Sequence, residues 1–261
     1  MEDLEERLIL DEAGRVRERR HFLDGRLHGD AISYDETGRV VRTAQFREGR
    51  LDGEVVVYDA AGRVLERTQF RDGVPHGEMT IHDEKGWIRQ RMAFSGGLPE
   101  GECVIFGDGR PQAFMSYRQG RTDGEFRLFH PGGGPESVHS TYQDGQLNGE
   151  SVFYDAQGKV VRRSQYRAGK LQGETIEYHA NGQVREKVPY EGDRLHGTVL
   201  RYDEEGRLKE KQAYHEGRPV GPPVEYDARG RAKQPGQTPK TPRKPPKPGL
   251  LQRLGLIRKK T

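Results

Sequence analysis

Nine histidines and one cysteine are the side chains of this chain best suited to metal binding or nucleophilic chemistry. Three of the histidines, His28, His76 and His196, share one position, each directly before a glycine. Asp52, Glu100, Asp123, Asn148 and Gln172 take the same place before Gly53, Gly101, Gly124, Gly149 and Gly173. Such a row would hold a metal ion if its members converged. They recur about every 24 residues, however. If each period is one β-hairpin, neighbours stand ~9.6 Å apart, whereas a zinc ligand lies within ~2.1 Å of its ion. The row therefore predicts a solvated polar edge and no metal centre. Cys103 alone closes no intramolecular disulfide, and no Cys-based metal site is possible. It is expected on the polar face of its strand, as an inert thiol. There is no Gly-x-Ser-x-Gly elbow and no phosphate-binding loop. The run Gly132-Gly133-Gly134 is flanked by Pro131 and Pro135 and reads as a loop. The expectation is a protein that is not an enzyme, with no catalytic residue, metal or cofactor.

Two features suit binding better than catalysis. Trp87 is the one tryptophan, standing where an Arg or Lys usually follows the glycine of a hairpin tip. On an outer face it is either a contact anchor or a local shield for a strand edge. The second feature is the C-terminal end. From Ala232 to Thr261 there are nine Lys and Arg and no Asp or Glu, which leaves 35 basic against 41 acidic residues before it, a net of −6. The net charge of +3 thus hides an acidic body and a basic tail. Residues 232–248 are rich in Pro and Lys and predict a disordered linker. In 249–261, Leu250, Leu251, Leu254 and Ile257 follow helical spacing, with Arg253, Arg258, Lys259 and Lys260 mostly on other sides. This predicts a short basic amphipathic helix, marginal alone. Three readings stay open for it: a solubilising tail, a segment docking in a partner groove, or contact with an acidic membrane surface. Nucleic acid is the least favoured partner.

The elements that position these residues come from a repeat. Glu54–Gly77 reads EVVVYDAAGRVLERTQFRDGVPHG, and Glu150–Gly173 reads ESVFYDAQGKVVRRSQYRAGKLQG. A fixed period of this length signals stacked supersecondary units. Within Glu54–Gly77, residues 54–58 form one expected strand, Asp59–Gly62 a tight turn, 63–70 a second strand, and Arg71-Asp72-Gly73 the start of a return loop. Gly77 opens the next strand. Aromatic positions end the strands: Tyr34, Tyr58, Tyr154, Tyr178 and Tyr202 the first, Phe46, Phe70, Tyr166 and Tyr190 the second. Glycine takes three places per unit, seen in Gly62, Gly73 and Gly77 and again in Gly158, Gly169 and Gly173. Alternation along the strands places Val56 and Tyr58 with Val64, Thr68 and Phe70 on one apolar, aromatic face; the other face is charged. The fold class is all-β: an elongated antiparallel hairpin solenoid over residues 1–231, about nine units and roughly 18–20 strands. Its expected length is on the order of 85–90 Å, bent into a trough because long open sheets curl. The frames from 102 to 149 carry a shortened turn at Gly107-Asp108-Gly109 and an expanded one at His130–Pro135. They are either tolerated indels or a kink.

The segment YRAGKLQGETIEYHANGQVREKVPYEGDRLHG, residues 166–197, carries a Tyr-x-x-Gly-x-x-x-Gly-Glu-x-x-x-Tyr-x-x-x-Gly rhythm. It resembles the bacterial variant of the MORN (membrane occupation and recognition nexus) repeat, over Leu10 to Arg231. His82 in place of the strand Tyr and the order Gly192-Asp193 depart from the pattern. The resemblance implies a hairpin scaffold whose repeat positions are structural, and an antitoxin role of the YwqK type, with a cognate toxin as partner. It also implies lipid binding as an alternative, and an assembly scaffold as a third. With 31% hydrophobic residues the chain suits a sheet in which each unit packs on its neighbours. The start, MEDLEERLIL, lacks an apolar run of signal-peptide length. A cytoplasmic location is the expectation.

Overall fold

A computed structural model describes residues 4–233. The expectations for the linker and the basic helix lie outside the described residues. Within them the chain forms 21 strands and no helix, and all strand pairings are antiparallel. Two of these, Gln146–Leu147 and Arg194–Leu195, are the first halves of strands interrupted at Asn148 and His196. There the backbone amides turn to Thr141 O (2.9 Å) and Pro189 O (3.1 Å). Counting each interrupted strand once leaves 19, within the expected range. Packing runs between neighbouring strands, so the sheet is a single layer.

The unit is more compact than its sequence suggests. The strands are Arg50–Tyr58, Val64–Arg71 and Val74–His82. No return loop exists beyond Asp72-Gly73, both with positive φ (50° and 86°). Two such residues make the turn whose twist matches a hairpin. Gly77 consequently lies inside a strand, correcting its expected place at a strand start. Its φ is +101°. Thr68 pairs with Met79 but Phe70 with Pro75, so one strand advances four residues while its partner advances two. Gly77 sits in that bulge, where a backbone of positive φ is needed.

The same glycine faces the aromatic of the following strand. Gly53 pairs with Phe70, Gly77 with Phe94, Gly149 with Tyr166 and Gly173 with Tyr190. The ring's other neighbour is Leu or Pro, as in Phe70↔Pro75 and Tyr166↔Leu171, except at Tyr117, where it is Thr122. Each ring is thus bracketed by an absent side chain and a bulky one. This explains why glycine and aromatic recur together.

The register overturns part of the expected face assignment. Val55, and not Val56, stands opposite Thr68; Val56 pairs with Arg67 and Tyr58 with Val64. Val57 pairs with Glu66, so Leu65 is an extra residue that shifts the register near the tip. One face therefore carries Val55, Thr68 and Phe70 with their equivalents. The other carries Val56, Arg67, Tyr58 and Val64. Both faces hold an aromatic row. The core lies on the first face, in a cluster of Phe126, Val138, Tyr142, Leu147 and Phe153 and a second of Val188, Leu195, Val199 and Tyr214. The two indels border the larger cluster; Asp108-Gly109 closes its hairpin as another two-residue turn with both φ positive.

Candidate interaction surface

Two long edges of turns and two faces are available. On the first edge each Asp-x-x-Gly turn is closed by its own aspartate. Asp59 Oδ1 accepts the amides of Ala61 (2.8 Å) and Arg63 (2.9 Å), and Arg63 Nε donates to Oδ2 (2.8 Å). These donors, the Arg63 amide foremost, hold the Asp59 carboxyl below its ordinary range. The arginine after the glycine also reaches the next turn. Arg15 donates to Glu36 O (3.3 Å), Arg39 to Ala60 O (2.9 Å), and Arg63 to Glu84 O.

Trp87 occupies the place of that arginine. Its amide still donates to Asp83 Oδ1 (2.9 Å). Its indole packs over Gly109, where a methyl group would lie 3.5 Å from the ring. Lys85 Nζ stands 5.3 Å from the ring centroid, and 46% of the residue is exposed.

On the opposite edge, the row of histidines and carboxylates has a structural role that sequence reasoning missed. Asp52 accepts the amide of Asp72 (3.3 Å), Glu100 that of Gln119 (2.7 Å), Asp123 that of Asp144 (3.1 Å), and Gln172 that of Gly192 (3.2 Å). His76 Nδ1 accepts from Gly96 (3.5 Å). Each caps the two-residue turn of the following unit. An acceptor atom is the requirement, which is why His, Asp, Glu and Gln interchange there. His196 departs from this: it faces Glu191 (3.5 Å) and the His215 ring (4.9 Å). The turns are further joined by backbone bonds one period apart, Gly49 N to Leu27 O and Gly73 N to Leu51 O, both 2.7 Å.

The more exposed face alternates aliphatic and basic side chains strand by strand: Val56 and Arg67, Val152 and Arg163, Ile176 and Lys187. Arg67 pairs with Glu54 and Arg163 with Glu150, both at 2.7 Å. Between Arg110 and Phe129 the alternation flips, with Phe114 opposite Arg127 and the guanidinium 4.6 Å from the ring.

The core face holds the most unusual chemistry. One row across the sheet runs Val57, Glu66, Ile81, Gln90, Ile105, Ala113, Leu128, Val138, Phe153. It continues as Arg162, Glu177, Glu186, Arg201, Glu210 and Glu225, all charged. Arg201 bridges Glu186 (2.7 Å) and Glu210. Glu186 is only 8% exposed. Burial raises its carboxyl above the ordinary range, opposed by Arg201. Partial burial, with Glu186 nearby, pushes the Tyr190 hydroxyl up to about 12. Arg162 lies 3.9 Å from the Phe153 ring, at the boundary between the two halves of the row. A cavity of about 340 Å³ opens on the run, between Glu186, Arg201, Glu210, Glu225 and Lys233. The sequence signal for it was the change at one repeat position from Val57, Ile81 and Ile105 to Glu177, Arg201 and Glu225.

The expected repeat residues Tyr34, Tyr58, Tyr154, Tyr178 and Tyr202 all end their strands. Leu250, Leu251, Arg253, Leu254, Ile257, Arg258, Lys259 and Lys260 lie outside the described residues. Cys103 is 0% exposed on the core face, correcting its expected place on the polar face. Among the described residues no three His, Cys, Asp or Glu side chains gather as metal ligands.

Comparison with known proteins gives one family. The MORN repeat variant matches residues 171–191 and 195–216, two successive hairpin units. No curated protein matches. Among solved structures, a porin-like protein from Bacteroides uniformis is 13% identical, over 84% of this chain and 92% of that one, with a TM-score of 0.20. A chain of the TcdB2-TccC3-Cdc42 structure is 12% identical, over 87% of this chain and 17% of that one, with a TM-score of 0.13. Both superpositions lie far below a shared fold. Within the sheet, residues 171–191 and 195–216 carry the pattern of the MORN repeat variant.

Proposed function

We propose that this repeat protein is not an enzyme and that it binds another protein through the charged end of its core face. The run Arg162–Glu225 carries the reading. Buried charges contribute little net stability and are often neutral or costly against apolar replacements. The same row is largely apolar three units earlier, so the fold does not demand them. A surface that pairs Arg201 with two carboxylates offers directional recognition to a polar partner segment. The test is purification from the native host with and without the paired change Glu186→Leu/Arg201→Met. A stoichiometric protein that follows wild type and is lost from the folded double variant supports the reading. Equal recovery with both refutes it. The narrower antitoxin role predicts that expressing this chain restores growth against a toxic neighbouring gene; no rescue rejects it.

A second reading rests on the nine basic residues beyond Arg231: attachment to an anionic membrane. It predicts salt-sensitive pelleting with anionic vesicles that is lost on deleting 249–261. No pelleting at low salt eliminates it.

A further inference from the structure

Apart from Met1, the sulfur atoms of this chain belong to four residues: Met79, Met92, Cys103 and Met115. The fold places all four in a single row. Met79 pairs with Met92, Met92 with Cys103, and Cys103 with Met115, on four consecutive strands of the core face. In sequence they are separated by 23 or more residues from first to third, and only the register brings them side by side. We propose that Met92, Cys103 and Met115 form a binding site for copper(I), independent of the protein-binding role above.

The chemistry favours that ion. Thiolate and thioether are soft donors and select copper(I) over hard cations. Directly opposed side chains on neighbouring strands have Cβ atoms ~4.5–5.5 Å apart. Two sulfurs on one ion, each at roughly the ~2.3 Å of a metal–thiolate bond, stand about 4–4.6 Å apart. Cross-strand pairing therefore places neighbouring donors close enough at Cβ for their side chains to reach one ion. Cys103 is the central donor with a methionine on either side, and the unbranched thioether arms adapt readily. Met79 is one strand further away.

The surroundings agree. Cys103 is fully buried, whereas Met92 and Met115 are half-buried, which gives an ion entry past the thioethers. The neighbouring row contributes Ile105 and Ala113, dry groups that disfavour a hydrated dication. Gln90 Nε2 donates toward Cys103 Sγ (3.8 Å), and Tyr117 Oη toward Met115 Sδ (4.0 Å). Such outer contacts orient ligands. On binding, the copper(I)–sulfur bond forms as the thiol proton leaves to solvent; no electron is transferred. A count of thiols alone, as in the sequence reading, passes over this site because two of its three donors are methionines.

The experiment is an anaerobic titration of the full chain with copper(I) against a colorimetric copper(I) chelator, repeated with silver(I) as a redox-inert probe. Wild type takes up one equivalent. Cys103→Ser abolishes uptake, and Met92→Leu/Met115→Leu, close in volume and folded by circular dichroism, weakens it about tenfold or more. Failure of the wild type to compete with the chelator overturns the site. So does wild-type affinity in the double methionine variant, which would reduce it to a lone thiol.

Discussion

The row from Val57 to Phe153 and its continuation from Arg162 to Glu225 share one backbone register, yet one stretch is largely apolar and the other wholly charged. The hairpin ladder, its bulges and its glycine–aromatic pairs run through both, although the charged half reverses one turn at Gly192-Asp193 and interrupts one strand at His196. The difference shows that the backbone is specified at the turns and the Gly–ring positions, which leaves this row free to carry other chemistry. Four changes break or sharpen that contrast. The largest effect is expected for Val138→Asp. Val138 is 0% exposed within the Phe126–Phe153 cluster, and an unpaired carboxylate there costs about 4 kcal/mol or more. Urea unfolding measures it.

Arg201→Met comes next, at about 3–5 kcal/mol, because it leaves Glu186 buried without its cation. Glu186→Leu/Arg201→Met should recover most of that loss, as replacing whole buried pairs often does. The carboxyl of Glu186 titrates higher folded than unfolded, so its proton is held more tightly in the folded state. Its unfavourable contribution is absent at low pH and grows as pH rises from the ordinary carboxylate range through the raised value. Arg201→Met should steepen that fall, and acidification should restore part of the stability, seen as a shift in melting temperature with pH.

Third are the bulge glycines. A methyl group at Gly53, with φ at +116°, would lie 2.9 Å from Gln45 Cβ. At Gly173, with φ at +91°, the closest approach is 3.5 Å to Gln165 Cβ. Both valine variants strain the backbone by roughly 1–3 kcal/mol, and Gly53→Val should be the worse. An unchanged melting curve for Gly173→Val would count against the register. The smallest effect is expected for Trp87→Arg, within about 0.5 kcal/mol, since it exchanges ring packing on Gly109 for a bond between turns. Thermal melting resolves the sign.

Much of the fold is legible in the sequence because turn chemistry and ring spacing are local. The face assignment is not. Val55, Val56 and Val57 form an unbroken aliphatic run with no polar residue to mark a side, and the bulge at Leu65 then shifts the count. The same one-residue offset misplaced Cys103, which stands two units later where Val55 stands. Glu177, Glu186 and Arg201 carry no mark of burial in the sequence, because it depends on neighbours one period away. The capping role of the His and Asp row is a contact between units that no single unit displays.

The bonds from each turn to the unit before it, such as Gly73 N to Leu51 O, have a mechanical consequence. Tension applied between the two ends of the sheet loads these links and the strand ladder one hairpin at a time. The molecule should yield as a zipper, in a sawtooth of nearly equal steps, each releasing one period of about 80 Å of extended chain. Such a chain is a compliant spring that lengthens by units while the remainder keeps its register.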